Sequence, residues 1–150
     1  MKIFDGIAEL SAAAGQELGS SEWTVIEQPK VDTFADATGD HQWIHCDPAR
    51  AAEGPFGGTI AHGLLTLALL PVLQHQIYRV DNVGMAINYG LNKVRFPAPV
   101  RVGARVRASS TLLEVTPLEG AAQAVLSTVI EIEGGGKPAC VAESIVRYVA

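Results

Sequence analysis

Polar and apolar residues change period along the chain. In residues 124–133, "AVLSTVIEIE", Ala124, Leu126, Thr128, Ile130 and Ile132 alternate with Val125, Ser127, Val129, Glu131 and Glu133. That two-residue repeat is the mark of a strand with one buried face. Similar β-rich runs cover Met85 to Phe96, Ala104 to Val115 and Pro138 to Val149, divided by the turn signals PAPVRVG, TPLEG and GGGKP. GGGKP lacks the distal glycine and the Ser/Thr of a phosphate loop, so it reads as a hairpin connection. Upstream, the pattern turns helical. From Lys30, "KVDTFADATGD" predicts a short helix with Asp32 as its cap and Gly39 as its left-handed stop, so that Asp40 emerges just past the stop. Asp47 and Pro48 predict the cap and first residue of a second short helix, PARAAE. From Ile60 to about Tyr78 runs the one long helix candidate. Leu64, Leu65, Leu67, Leu69, Leu70, Val72 and Leu73 leave it almost no polar face before Gln74, which predicts burial on nearly every side. Pro71 removes one internal hydrogen bond and predicts a kink.

Long strands preceded by one buried helix give an α+β fold, an antiparallel β-sheet wrapped around a long central helix. One sheet cannot cover a helix that is apolar all round, so a second subunit, or a second sheet edge, is expected to complete the burial. The 150 residues fit a single domain, and 48% apolar with 18% charged residues is the balance of a folded chain. The longest apolar stretch, Ile60 to Leu73, is broken by His62, Gly63 and Pro71 and is shorter than the ~20 residues of a membrane span. The start, MKIFDGIAEL, carries Asp5 and no sustained apolar run, unlike a signal peptide. The chain therefore reads as soluble. Cys46 and Cys140 form no CxxC, which points to reduced thiols and a cytoplasmic location.

A net charge of −5 argues against general nucleic-acid binding. The basic residues are nevertheless clustered: Arg79, Lys93, Arg95, Arg101, Arg105 and Arg107 are six of the eleven, with only Asp81 among them. Such a segment either recruits an anionic small molecule or places arginines on the wet face of strands.

The densest chemistry lies at residues 39–48, "GDHQWIHCDP". Asp40 and His45 are five residues apart on a segment that continues neither a helix nor an alternating strand. A turn of that length can bring a carboxylate and an imidazole to one side of a cleft, where one takes a proton from water and the other gives one to carbon. The alternative is a carboxylate that merely orients a structural histidine. Farther on, Gly58 to Gly63 run into the long helix, whose first turn leaves N–H groups without internal partners. Gly63 is the natural donor toward a developing oxyanion, because it has no side chain to hold a thioester away. Its other possible role is close helix–sheet packing. Cys46 adjoins His45, but neighbours in sequence point apart and nothing else marks a thiol nucleophile. The set Asp40, His41, His45, Asp47 and His62 matches no standard zinc spacing, so no metal is assigned.

With these residues in view, "FADATGDHQWIHCDPARAAEGPFGGTIAHGLLTLALLPVL" resembles the signature of the MaoC-like dehydratases, the R-specific enoyl-CoA hydratases of hot-dog fold. The matching elements are Asp40, His45, Asp47, Phe56-Gly57 and Ala61-His62-Gly63, about a quarter of the chain. The resemblance implies one hot-dog domain over residues 1–150 and reversible addition of water to a trans-2-enoyl-CoA, giving a (3R)-3-hydroxyacyl-CoA. It implies His45 as the base, Asp40 as the proton donor to the α carbon and the Gly63 N–H in the oxyanion hole. Phe56 and His62 accompany Gly63 around the substrate, and Lys93 or Arg95 would meet the phosphates of coenzyme A. No cofactor is implied beyond the coenzyme A of the substrate, and the partners are an acyl-CoA thioester and a second copy in a homodimer. Two departures stand out. Gln42-Trp43 replaces a common Asn-Pro, leaving Trp43 to pack against the acyl tunnel or a partner, and Pro71 stands where some members carry a serine. Hot-dog folds also host thioesterases and non-catalytic acyl-binding subunits, which remain alternatives.

Overall fold

The computed structural model describes all residues, Met1–Ala150. In chain order the elements are β1 (Lys2–Asp5), α1 (Gly6–Ala12), β2 (Glu17–Ser20), β3 (Thr24–Val25), α2 (Gln28–Thr38), α3 (Trp43–Cys46), α4 (Pro48–Ala52), α5 (Gly63–Ala68), α6 (Leu70–Ile77), β4 (Tyr78–Asp81), β5 (Met85–Arg95), β6 (Arg105–Leu118), β7 (Ala121–Ile132) and β8 (Cys140–Val149). The main sheet has the order β2-β6-β7-β8-β5, all neighbours antiparallel, with β3 also paired to β6. β1 and β4 form a separate parallel pair. The strand alternation places Ala122, Ala124, Leu126, Thr128 and Ile130 of β7 on the buried face; Ala124, Leu126 and Ile130 share one core cluster with Leu73 and Ile77 of α6, and Gln74 of α6 donates to Thr128. This is the hot-dog arrangement, a sheet curled around a central helix.

The central helix departs from its sequence reading in three ways. It begins at Gly63 rather than Ile60, because Ile60 is bridged to Arg101 and the Ala61 N–H donates to Val100 O at 2.8 Å, which holds the entry extended. It divides at Leu69 into α5 and α6, where Pro71 cannot donate to Leu67; Leu69 N still bonds Leu65 O and Leu73 N bonds Leu69 O, so helical hydrogen bonds run across the break. It is also not covered all round, since Leu64 and Val72 lie on an exposed stripe at 64% and 53% exposure.

α2 starts at Gln28, two residues before Lys30, because Pro29 fits the first turn. Asp32 is therefore inside the helix, accepting from Gln28 Nε2 at 2.9 Å, and does not cap it. The C-terminal stop is as read: Gly39 has φ 82°, and its N–H bonds Ala35 O at 2.8 Å. Asp47 caps α4 by accepting from the Arg50 N–H at 3.0 Å.

Candidate active site

Two histidines with assignable tautomers organise the site. The segment from Gly39 to Asp47 leaves α2, turns once through α3 and enters α4, so His45 sits in a single helical turn. His45 Nδ1 lies 2.7 Å from Ile60 O. A carbonyl only accepts, so Nδ1 carries the hydrogen and a neutral His45 keeps the lone pair on Nε2. The backbone is fixed on both sides: Ile60 N donates to Ile44 O at 2.9 Å, and Gln28 Nε2 donates to His45 O at 2.7 Å. Thr59 Oγ1 in turn donates to Gln28 Oε1 at 2.6 Å, joining α2, α3 and the segment before α5.

His62 is 3% exposed and sits between rings, 3.8 Å from the His45 centroid in a stack tilted by 23° and 4.8 Å from the Phe34 centroid. Its Nε2 donates to the backbone oxygen of Asp40 at 2.9 Å, which ties the Asp40 turn to the entry of the central helix. Asp40, His45 and His62 thus place one polar atom each within 4.8 Å of one another. The sequence offers these three within one candidate set, but only the fold brings His62 against the other two. The geometry suits a water held between a carboxylate and an imidazole.

A cavity of about 320 Å³ opens at this point, lined by His45, Phe56, Gly63, Thr66, Phe96 and residues of the following loop. Gly63 is the first residue of α5, so its N–H has no partner within the helix. The Phe96 ring stands on it: a Cβ built on Gly63 would be 3.0 Å from Phe96 Cδ2. Phe96 and Thr66 were not singled out from sequence, because no local pattern shows that the end of β5 meets the start of α5. Asp40 and His62 do not line this cavity, and neither do Lys93 or Arg95; Asp40 meets it only through its approach to His45. Arg95 Nη1 donates to Val94 O at 2.7 Å, and Lys93 stands opposite Glu143 in the β5–β8 register.

Most of the basic segment is accounted for by the sheet. Arg105 and Arg107 pair with Glu133 and Glu131 across β6–β7, Arg79 pairs with Asp81 at 2.8 Å, and Arg101 Nη2 donates to Gly57 O at 2.8 Å to hold the Phe56 loop. Trp43 packs under Arg50, 4.4 Å from its guanidinium carbon, and against Gly54. Burial, with Asp32, Asp36 and Asp40 nearby, pushes the Cys46 thiol up, the opposite of nucleophile activation.

A family model described as "MaoC like domain" matches residues 9–134. The chain belongs to the MaoC-like dehydratase family. Within it, this MaoC-like chain is 66% identical to the 3-hydroxyacyl-thioester dehydratase Z of Mycobacterium tuberculosis, over 100% of both chains. It is 46% identical to the nodulation protein N of Rhizobium leguminosarum, over 93% of this chain and 88% of that one. Among solved structures, the (R)-hydratase of A. caviae involved in PHA biosynthesis superimposes with a TM-score of 0.71 at 28% identity, over 89% of this chain and 94% of that one. No helix of this MaoC-like protein is long and apolar enough to cross a membrane.

Proposed function

We propose that this dehydratase interconverts trans-2-enoyl-CoA and (3R)-3-hydroxyacyl-CoA by reversible addition of water, with His45 and Asp40 as its catalytic residues. The observation that carries the reading is the His45 tautomer: with Nδ1–H held by Ile60 O, Nε2 is the free base at the cavity containing Gly63. His45 takes a proton from water as the hydroxyl bonds to the β carbon. The proton taken up by His45 then passes by way of Asp40, which shares that water, to the α carbon, so both side chains end as they began. Charge pushed onto the thioester oxygen meets the Gly63 N–H. The carbon chain gains the elements of water and nothing else, so the chemistry calls for no redox cofactor. Lys93 and Arg95 lie on the strand that ends beside Phe96, and neither forms an ion pair with an acid, which leaves them for the phosphates of coenzyme A.

The same reading includes a homodimer. β5 is a sheet edge paired only to β8, and it exposes Met85, Ile87, Tyr89 and Leu91, while the central helix leaves Leu64 and Val72 bare. Open apolar edges of this kind are covered in stable proteins, and a second copy adding its own β5 would cover both features. The two free thiols support a cytoplasmic location.

The test is to follow loss of enoyl-thioester absorbance with crotonyl-CoA and to resolve the enantiomers of the product, with native mass measured in parallel. The reading requires (3R) product and a mass of two chains. Release of free coenzyme A thiol without hydration would make the protein a thioesterase. A monomer, or activity that needs a different hot-dog chain, would refute the homodimer.

A further inference from the structure

Both polar atoms of the Gln28 side chain are engaged, and two of their partners lead to His45. Gln28 is the first residue of α2. Its Nε2 donates to His45 O at 2.7 Å and to Asp32 Oδ1 at 2.9 Å, and its Oε1 accepts from Thr59 Oγ1 at 2.6 Å. A backbone carbonyl and a carboxylate only accept, so the amide has a single orientation and both of its hydrogens are used. His45 O needs such a donor, because α3 is one turn long and its last carbonyls find no partner inside the helix.

These bonds close a ring around the imidazole. Thr59 is followed by Ile60, whose O accepts from His45 Nδ1 at 2.7 Å, and His45 O returns through the Gln28 amide to Thr59. The far side is anchored, since Thr59 is buried and its O accepts from Val102 N at 2.9 Å. Gln28 thereby spans the two points that grip His45, its own carbonyl and the segment bearing Ile60 O. We infer that Gln28 is a positioning residue, which holds His45 in the Nδ1–H tautomer and so keeps Nε2 the free base. Gln28 does not line the active-site cavity, so it acts through the backbone of His45 and touches no substrate. The inference rests on the catalytic role given to His45 above.

Two variants break the ring from opposite sides. Gln28→Glu keeps the shape but turns an oxygen on His45 O and the Asp32 carboxylate, and Thr59→Val removes the hydroxyl alone. With folding checked by thermal melting, each is expected to lower kcat for crotonyl-CoA hydration about ten- to a hundredfold, the scale of a displaced catalytic group. KM should stay within about twofold, because no substrate contact is lost. Thr59→Ser, which keeps the hydroxyl, should hold the activity that Thr59→Val loses. A second readout needs no turnover: the ¹⁵N spectrum of the His45 imidazole at alkaline pH, assigned by its absence from His45→Gln. The wild type should carry hydrogen on Nδ1, and both ring-breaking variants should show a mixture of tautomers. Folded variants that keep the wild-type tautomer, or that lose activity through KM alone, would overturn the inference. A wild type that hydrates no crotonyl-CoA would refute the hydratase reading, and the tautomers of the two variants would still decide for or against Gln28.

Discussion

Replacing Gly63 with alanine separates the stability of the helix entry from its chemistry. Gly63 is not among the glycines with positive φ, so alanine is allowed by the backbone. The new Cβ would lie 3.0, 3.1 and 3.2 Å from Cδ2, Cγ and Cε2 of Phe96, so the ring must retreat by a few tenths of an ångström. Phe96 is 42% exposed and has room to do so. Against that contact stands the helix preference of alanine over glycine, at most about 1 kcal/mol. The net change in stability should stay within about 1 kcal/mol, a shift of a few degrees in Tm. Activity should respond differently, because the methyl group lies where a thioester must approach to reach the Gly63 N–H. Loss of an oxyanion donor costs about a hundred- to a thousandfold in kcat. The assay pairs thermal melting with crotonyl-CoA hydration, for Gly63→Ala alone and combined with Phe96→Ala. A variant that melts like the wild type and keeps more than a tenth of its kcat would refute the role given to Gly63. Recovery of activity in the double variant would show that the displaced ring, and not the blocked amide, was at fault.

Gly39→Ala places a side chain at φ 82°, which should cost about 1–2 kcal/mol in urea unfolding and lower kcat by displacing the neighbouring Asp40. Asp47→Ala removes the cap on Arg50 N and should cost about 1 kcal/mol by the same measurement, with activity largely kept. Burial pushes the Cys140 thiol from 9.0 up to about 11. The unfolded chain therefore ionises first, so stability is full below pH 9 and is lost as pH rises toward 11, by about 2–3 kcal/mol from this group. Cys140→Ala should flatten that alkaline slope in unfolding curves taken across the window.

What could be read from the sequence followed the range of the interaction involved. The strands were legible because every second residue of 124–130 faces the core, and the stop at Gly39 was legible because a left-handed cap is decided within one turn. β1 to β4 were not: each is at most four residues long, too short for a period to register. The helix entry was misplaced by three residues because Ile60 and Ala61 are held by Arg101 and Val100, forty residues away in sequence. The basic segment looked unpaired for the same reason, since Glu131 and Glu133 arrive only when β7 folds back on β6. At the site, the local motif supplied Asp40 and His45. The stack of His62 on His45 and the contact of Phe96 with Gly63 join elements that no local pattern connects.

The central claim is that His45 and Asp40 act on one water, and the most direct measurement is crotonyl-CoA hydration by Asp40→Asn and His45→Gln, each checked by circular dichroism. Single loss of either group should lower kcat by about a hundredfold or more with the fold intact, and the double variant should be little worse than the weaker single one, as for groups that act as a unit. Folded single variants that keep more than a tenth of wild-type kcat would contradict the account and move the chemistry to another site.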